Sequence, residues 1–491
     1  MITVQELMQT SGVAFGTSGA RGMVTAMTDR VCYGYTQGFL AYMAEQGEFS
    51  SGMRVALAGD LRPSTPRILS ACAKAIRDAG GTPEFCGYVP TPALALHAFA
   101  NAIPCLMVTG SHIPADRNGI KFFRSAGELL KADEPEMGRQ ELDLDQSRFD
   151  ADGMLVWPEP LPPVVDVETA YTQRYLDHFG RGALAGKRIG IYQHSAVGRD
   201  VLAQIVRELG AEIVLLGRSD TFVPVDTEAI RPEDVVLARH WAQSEHLDSI
   251  VSTDGDSDRP LLSDEAGNWL RGDVMGVLCA ASVGATSVVT PVSSNTALEL
   301  DGRFARCRRT RIGSPYVIAA MTEELQEGSA VVCGFEANGG FLLGSAIAGA
   351  NGATTAALPT RDAVLPILAI LTASAPSVSA QAAALPQRFT YSDRITPFPA
   401  ETSQRFFAHL LAGGTAAQLQ RQTDLFGSFA GDAMHIDLTD GVRTTFSSGA
   451  IIHLRGSGNA PELRCYSEAD SPEAATEVNR LALAAVAALP S

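Results

Sequence analysis

The sequence predicts an α/β protein with a separate C-terminal α+β portion, and three observations carry that prediction. First, a β-branched run leads into a loop of small polar residues, which opens a helix-like stretch; strands alternating with helices imply α/β units and parallel sheets. Second, the unit recurs: RVALAGDLRPSTPRILSACAKAIRDAGG starts at Arg54, KRIGIYQHSAVGRDVLAQIVRELGAEIVLLG at Lys187 and SVVTPVSSNTALEL at Ser287. Three such units imply three similar domains, or one fold repeated. Third, the pattern changes from about Thr390, where polar loops separate short strand candidates such as AMHIDL and AIIHLR and an Ala- and Leu-rich helix closes the chain.

The expected divisions are 1–165, 166–270 and 271–386 for the α/β portions and 387–491 for the smaller α+β domain. The linkers between them are the Pro-rich WPEPLPPVV from Trp157 to Val165, the LRGD stretch near Arg271 and SAQAAALPQ near Pro386.

A chain of 491 residues can bury a sizeable core without staples. Its 46% hydrophobic and 19% charged residues suit a soluble globular protein and argue against disorder. The net charge of −17 repels nucleic acid and anionic membranes, so neither is expected as a partner. It also repels any anionic ligand at long range, so such a ligand must be held by local Arg and Lys. The eight cysteines make no C-x-x-C pair, and Cys72, Cys105, Cys279 and Cys333 lie beside or inside apolar stretches. They read as small buried hydrophobes in a reducing compartment. The N-terminus has neither a basic n-region nor an apolar h-region, so a cytoplasmic location is expected. The longest uncharged run, from Ala363 to Gln387, contains Pro366, Pro376 and Pro386 and reads as a buried helix followed by a linker.

Four loops follow apolar strand candidates, one in each division. Ligands of open α/β sheets bind beyond the carboxyl ends of strands, so the four can converge on one cleft. In PCLMVTGSHIPADRNGIKFF, Ser111 sits between Gly110 and His112, with Lys121 downstream; the alternative is a strand-to-loop turn with an incidental serine. In SIVSTDGDSDRP, Asp254, Asp256 and Asp258 alternate, so in extended chain three carboxylates share one side. Such carboxylates repel unless a cation neutralises them, and all-oxygen ligation favours Mg²⁺. Arg259 at the position that needs glycine and Pro260 after it argue against an EF-hand, and a solvated acidic turn is the main alternative.

In AVVCGFEANGGFLLG, Glu336 and Asn338 offer a carboxylate and an amide for vicinal hydroxyls, although Asn-Gly-Gly also favours a plain hairpin. In IIHLRGSGNAPELRCYSEA, Arg455, Ser457, Asn459 and Arg464 surround Gly456 and Gly458. Guanidinium forks and glycine-exposed N–H groups match phosphate, with a surface turn as the alternative. No Walker A or dinucleotide fingerprint is present.

Together these loops, with FGTSGARG at Phe15, resemble in order and spacing the motifs of the α-D-phosphohexomutase superfamily over essentially the whole chain. The resemblance implies three similar α/β domains with mixed sheets and a smaller C-terminal α+β domain around a central cleft. It implies an enzyme that interconverts hexose 6-phosphate and hexose 1-phosphate, with mannose expected and glucose or an aminosugar as the alternative. Ser111 would be the phosphorylated residue, and Asp254, Asp256 and Asp258 with a phosphoserine oxygen would bind Mg²⁺. Arg21, His112, Lys121 and Arg259 would line the transfer site, with His112 or Lys121 as general acid/base. Glu336 and Asn338 would hold sugar hydroxyls, and Arg455, Ser457, Asn459 and Arg464 the phosphate not being transferred. A hexose 1,6-bisphosphate would be both intermediate and activator, and the partner a small-molecule sugar phosphate. Oligomeric state is left open.

Ile113, Asn338, Gly340, Asn459 and Ala460 depart from the common family pattern, and all fall outside the serine and acidic positions. The Glu-Ala-Asn-Gly run is similar to that of eukaryotic acetylglucosamine-phosphate mutases. A serine-dependent, metal-assisted phosphatase and a non-catalytic sugar-phosphate binder are the readings from other classes; no His-rich zinc cluster supports the first.

Overall fold

A computed structural model describes residues 2–456 and 461–489. The chain forms two compact units, Met1–Val288 with Gly313–Ala382 and Val289–Ile312 with Ala383–Ser491.

Three sheet portions organise the first unit. In the first sheet, Arg54–Gly59 runs parallel to both Thr82–Phe85 and Cys105–Val108, while Arg117–Arg124 returns antiparallel beside Cys105–Val108 and pairs on its other side with Ala20–Met23. In the second, Arg188–His194 runs parallel to Glu212–Arg218 and Ser249–Thr253, and Pro260–Leu262 returns antiparallel. In the third, Val332–Phe335, Phe341–Leu343 and Leu358–Asp362 pair antiparallel in turn.

The sheets are therefore mixed, as the family resemblance implies, and not purely parallel, as strand–helix alternation alone implies. The physical reason is loop length. A parallel return needs a crossover of a dozen or more residues, whereas DGDSDR and EANGG can only turn the chain back beside itself. The same short strand, loop and antiparallel strand thus occurs three times, at Ser111, at the acidic triplet and at Glu336.

The helices follow their apolar spacing. Thr65–Asp78 has proline in its first turn and buries Ile68, Leu69, Cys72 and Ile76 along one stripe. The Pro-rich stretch 157–165 contains no helix or strand. The uncharged run contains the helix Val364–Leu371, all of it buried. No helix among the described residues is long and apolar enough to cross a membrane. All eight cysteines are free thiols, and all but Cys307 are buried.

The second unit has a five-stranded antiparallel sheet in the order Phe389–Ile395, Leu463–Ala469, Ile451–Gly456, Val442–Phe446, Ala433–Asp437. Phe406, Phe426, Ile452, Leu454, Cys465 and Ala482 contribute to its core. His453 lies in this sheet, 1% exposed, with its ring stacked on Tyr466 and Nε2 donating to the Asp440 carbonyl oxygen at 2.5 Å. Its Nδ1 is buried without a partner, and burial pushes its pKa down to about 4.

An unfolded histidine titrates near 6.5, so between pH 6.5 and 4 the unfolded chain binds the extra proton and folding stability falls as pH falls. His453 alone should cost about 3 kcal/mol at pH 4 relative to pH 7. Urea midpoints measured across this range should lose part of their slope in His453→Phe; an unchanged slope would refute the assignment.

Candidate active site

Ser111 follows the strand Cys105–Val108 and adopts a left-handed backbone, φ 56°. Serine rarely takes this conformation unless its surroundings enforce it. The enforcing group is Arg62, 1% exposed. Its Nε donates to Asp60 at 3.0 Å, Nη1 to the carbonyls of Pro114 and Arg117, and Nη2 to those of Ser111 and Ile113. All five guanidinium N–H groups are thereby used. Thr109 Oγ1 donates to Asp60 and accepts from the Ser111 N–H, which completes the brace. Gly110 is needed here, because a β-carbon would lie 2.6 Å from Arg62 Cζ.

The brace turns Ser111 Oγ, on a residue only 1% exposed, toward the acidic loop, where it donates to Asp254 Oδ2 at 2.5 Å. Asp254, Asp256 and Asp258 are fully buried, and ligand oxygens of all three lie within 4.8 Å of one another. Lys121 Nζ lies 2.5 Å from both Asp256 Oδ2 and Asp258 Oδ2. Thr91 Oγ1 donates to Asp256 at 2.5 Å. Arg259 Nε is 3.9 Å from Asp254 and 3.8 Å from Asp258.

Burial, then the neighbouring charges of Asp256 and Asp258, raise the Asp254 pKa well above the carboxylate range. Burial acts the same way on Asp258, but Arg361, Lys121 and Arg259 outweigh it and push that pKa down. Asp256 Oδ1 and Asp258 Oδ1 remain buried without any hydrogen-bond partner. Two orphaned carboxylate oxygens in an all-oxygen cluster fit a hard divalent cation.

His112 is half-buried, with Nδ1 accepting from Arg259 Nη1 at 2.9 Å and lying 3.3 Å from Ser111 Oγ. Burial, then the charges of Arg259 and Arg21, drive its pKa far down, so the ring is neutral. Arg21 lies opposite Gly119 in the first sheet; burial, then Arg259 and Arg361, push its pKa down to about 10.

Glu336 and Asn338 are nearly fully buried in the loop after Val332–Phe335. The loop is closed by Glu336 N–H to the Gly340 carbonyl (3.1 Å) and Gly340 N–H to Asn338 Oδ1 (2.9 Å). Thr227 Oγ1 donates to the Asn338 carbonyl at 2.7 Å. Arg361, 2% exposed, donates through Nε to Asp258 Oδ2 at 3.0 Å and through Nη1 to Glu336 Oε2 at 3.1 Å.

The first unit thus brings together Arg21, Ser111, His112, Lys121, the acidic triplet, Arg259 and Glu336, with Asn338 two residues beyond. In the second unit Arg455 and Arg464 face each other across paired strands; Arg455 donates to Asp440 and Arg464 to Glu462, both at 2.8 Å. Ser457 and Asn459 lie outside the described residues. Sequence reasoning missed Arg62, Arg361, Asp60 and Thr91. The available signal was charge against an apolar background, in VALAGDLR and LPTRDAVLPILAIL.

Three family signatures match the chain: phosphoglucomutase/phosphomannomutase α/β/α domain I over residues 12–141, domain II over 173–267 and domain III over 271–389. A phosphomannomutase of Salmonella muenchen is 44% identical over 96% of this chain and 95% of its own length. One from Sinorhizobium fredii is 42% identical over 94% and 96%. A crystal structure of a phosphoglucomutase/phosphomannomutase family protein from Burkholderia thailandensis shares the fold, with a TM-score of 0.73 at 18% identity over 99% of both chains.

The orphaned oxygens generate a prediction that needs no turnover. Mg²⁺ at about 100 times its Kd should raise the unfolding free energy by about 2.7 kcal/mol, read as a higher Tm. Asp256→Asn should shrink that shift, and an equal shift in the variant would count against the triplet as the site.

Proposed function

The chain belongs to the phosphoglucomutase/phosphomannomutase family, and from this membership we propose that it interconverts mannose 6-phosphate and mannose 1-phosphate through a phosphoserine at Ser111. The observation that carries the proposal is the buried Ser111 hydroxyl, 2.5 Å from Asp254 at the edge of the acidic triplet. Mannose is supported by the two phosphomannomutases that match nearly the whole chain.

In this reading the phosphoserine gives its phosphoryl group to the free sugar hydroxyl, making a hexose 1,6-bisphosphate. The intermediate turns round, and its other phosphate returns to Ser111. The same bisphosphate, added from outside, would act as activator by phosphorylating Ser111. Asp254, Asp256 and Asp258, with a phosphoserine oxygen, would hold Mg²⁺, which when bound would withdraw charge from the transferring group.

The remaining work falls to the chain's own side chains, chiefly positioning and charge neutralisation. Arg21 and Arg259 neutralise the phosphoryl oxygens. Lys121 is favoured over His112 as the proton carrier, because the imidazole Nδ1 is already taken by Arg259 while the ammonium keeps a third N–H beyond the two directed at Asp256 and Asp258. Glu336 and Asn338 take sugar hydroxyls. Arg455 and Arg464, with Ser457 and Asn459, take the phosphate that is not transferred.

Ser111→Ala should lower isomerisation by roughly 10³-fold or more while sugar phosphate still binds. Intact-mass spectrometry should find a phosphate on part of the wild-type population and none on the variant; turnover retained in the variant would refute the mechanism. Free phosphate released from hexose 1-phosphate in place of 6-phosphate would identify a phosphatase instead.

A further inference from the structure

We propose that Arg361 is a positioning residue that couples sugar recognition at Glu336 to the acidic triplet, and that residue 340 is glycine so that the arginine stem can pass. This rests on the mutase reading above.

One guanidinium joins two loops of different sheets. It donates to Asp258 of the acidic loop at 3.0 Å and to Glu336 of the sugar loop at 3.1 Å, and the residue is 2% exposed. Its neighbours in the strand are anchored on both sides. On one side Thr360 donates to Glu128 at 2.7 Å; on the other Asp362 accepts from Tyr171 at 2.8 Å and from Tyr175. All of these residues, Arg361 included, lie outside the acidic and sugar loops, so they fix the guanidinium from behind.

The stem fills the space over Gly340. A β-carbon built there would lie 2.6 Å from Arg361 Cδ and 2.8 Å from Cγ. These are mid-chain atoms, held in place by the head group at both contacts, and cannot swing aside while both hydrogen bonds survive. Gly339 needs glycine for its backbone, φ 88°, but Gly340 does not have a left-handed φ. Space and not conformation therefore selects glycine at 340.

The consequence is functional. The cation that orients Glu336 toward a sugar hydroxyl is the one that helps neutralise Asp258. A change in either contact must be felt at the other, because coupling between two ligands is reciprocal.

A double-mutant cycle on the full-length enzyme tests the steric claim. Gly340→Ala should lower kcat/KM for mannose 1-phosphate roughly tenfold, yet cost less than about twofold in an Arg361→Ala background. Additive losses would overturn the proposal. Arg361→Lys keeps the charge but loses the fork whose Nε and Nη1 meet the two carboxylates separately, and guards against an Arg361→Ala that does not fold. In it the Kd for Mg²⁺, read by thermal shift, and the Kd for mannose 1-phosphate, read by calorimetry, should both rise at least threefold. Movement of only one, or of neither, would also overturn the proposal. The binding arms decide the coupling without turnover; a wild type that binds both ligands but does not isomerise would instead sink the mutase reading.

Discussion

Three buried carboxylates within 4.8 Å of one another are the constraint on which the rest of the first unit depends. At about 4 Å and an effective dielectric near 20, each like-charged pair repels by about 4 kcal/mol. The chain offsets this with Lys121 from the first sheet, Arg259 from the acidic loop itself and Arg361 from the third sheet. No one sheet supplies enough positive charge. The charge balance is therefore complete only when all three are assembled, and catalytic geometry and tertiary structure stand or fall together. Asp254, farthest from this compensation, has its pKa strongly raised by burial and then by the charges of Asp256 and Asp258, and it is the carboxylate that meets the serine.

The repeated short turn explains how one topology serves three tasks. Each turn places a polar residue one to three positions beyond the end of a buried strand: Ser111 after Val108, Asp254 after Thr253, Glu336 after Phe335. The strand anchors the residue by apolar burial, and the antiparallel return fixes where the loop must close. Lys121 lies on one such return strand, opposite Met107, so the Ser111 loop and its nearest ammonium belong to one hairpin.

What was legible in the sequence was local. Alternating aspartates, a serine between glycine and histidine, and glycine-bracketed Glu336 and Asn338 announce themselves within a few residues. Arg62 and Arg361 do not, because a buried arginine is explained only by its acceptors. Arg62 answers to carbonyls of residues 111–117, and Arg361 to carboxylates at 258 and 336. The direction of the return strands was hidden for a related reason: hydrophobic alternation reports which face is buried, and only loop length reports which way the chain runs. Gly340 departs from the family pattern within the sequence itself, but the cause lies in a side chain on another strand.

Arg62 has no donor to spare, and this bears on how such an enzyme is free to evolve. Four backbone oxygens of residues 111–117 and one carboxylate are matched one-to-one by a planar fork. A lysine, with three donors and no planar fork, could not reproduce all five of these contacts. The loop is thus finished before any sugar arrives and is indifferent to which sugar it is. Substitutions in the Glu336 turn or at the arginines of the second unit leave Arg62 and its five acceptors in place, so those regions are free to drift while the Ser111 backbone keeps its shape.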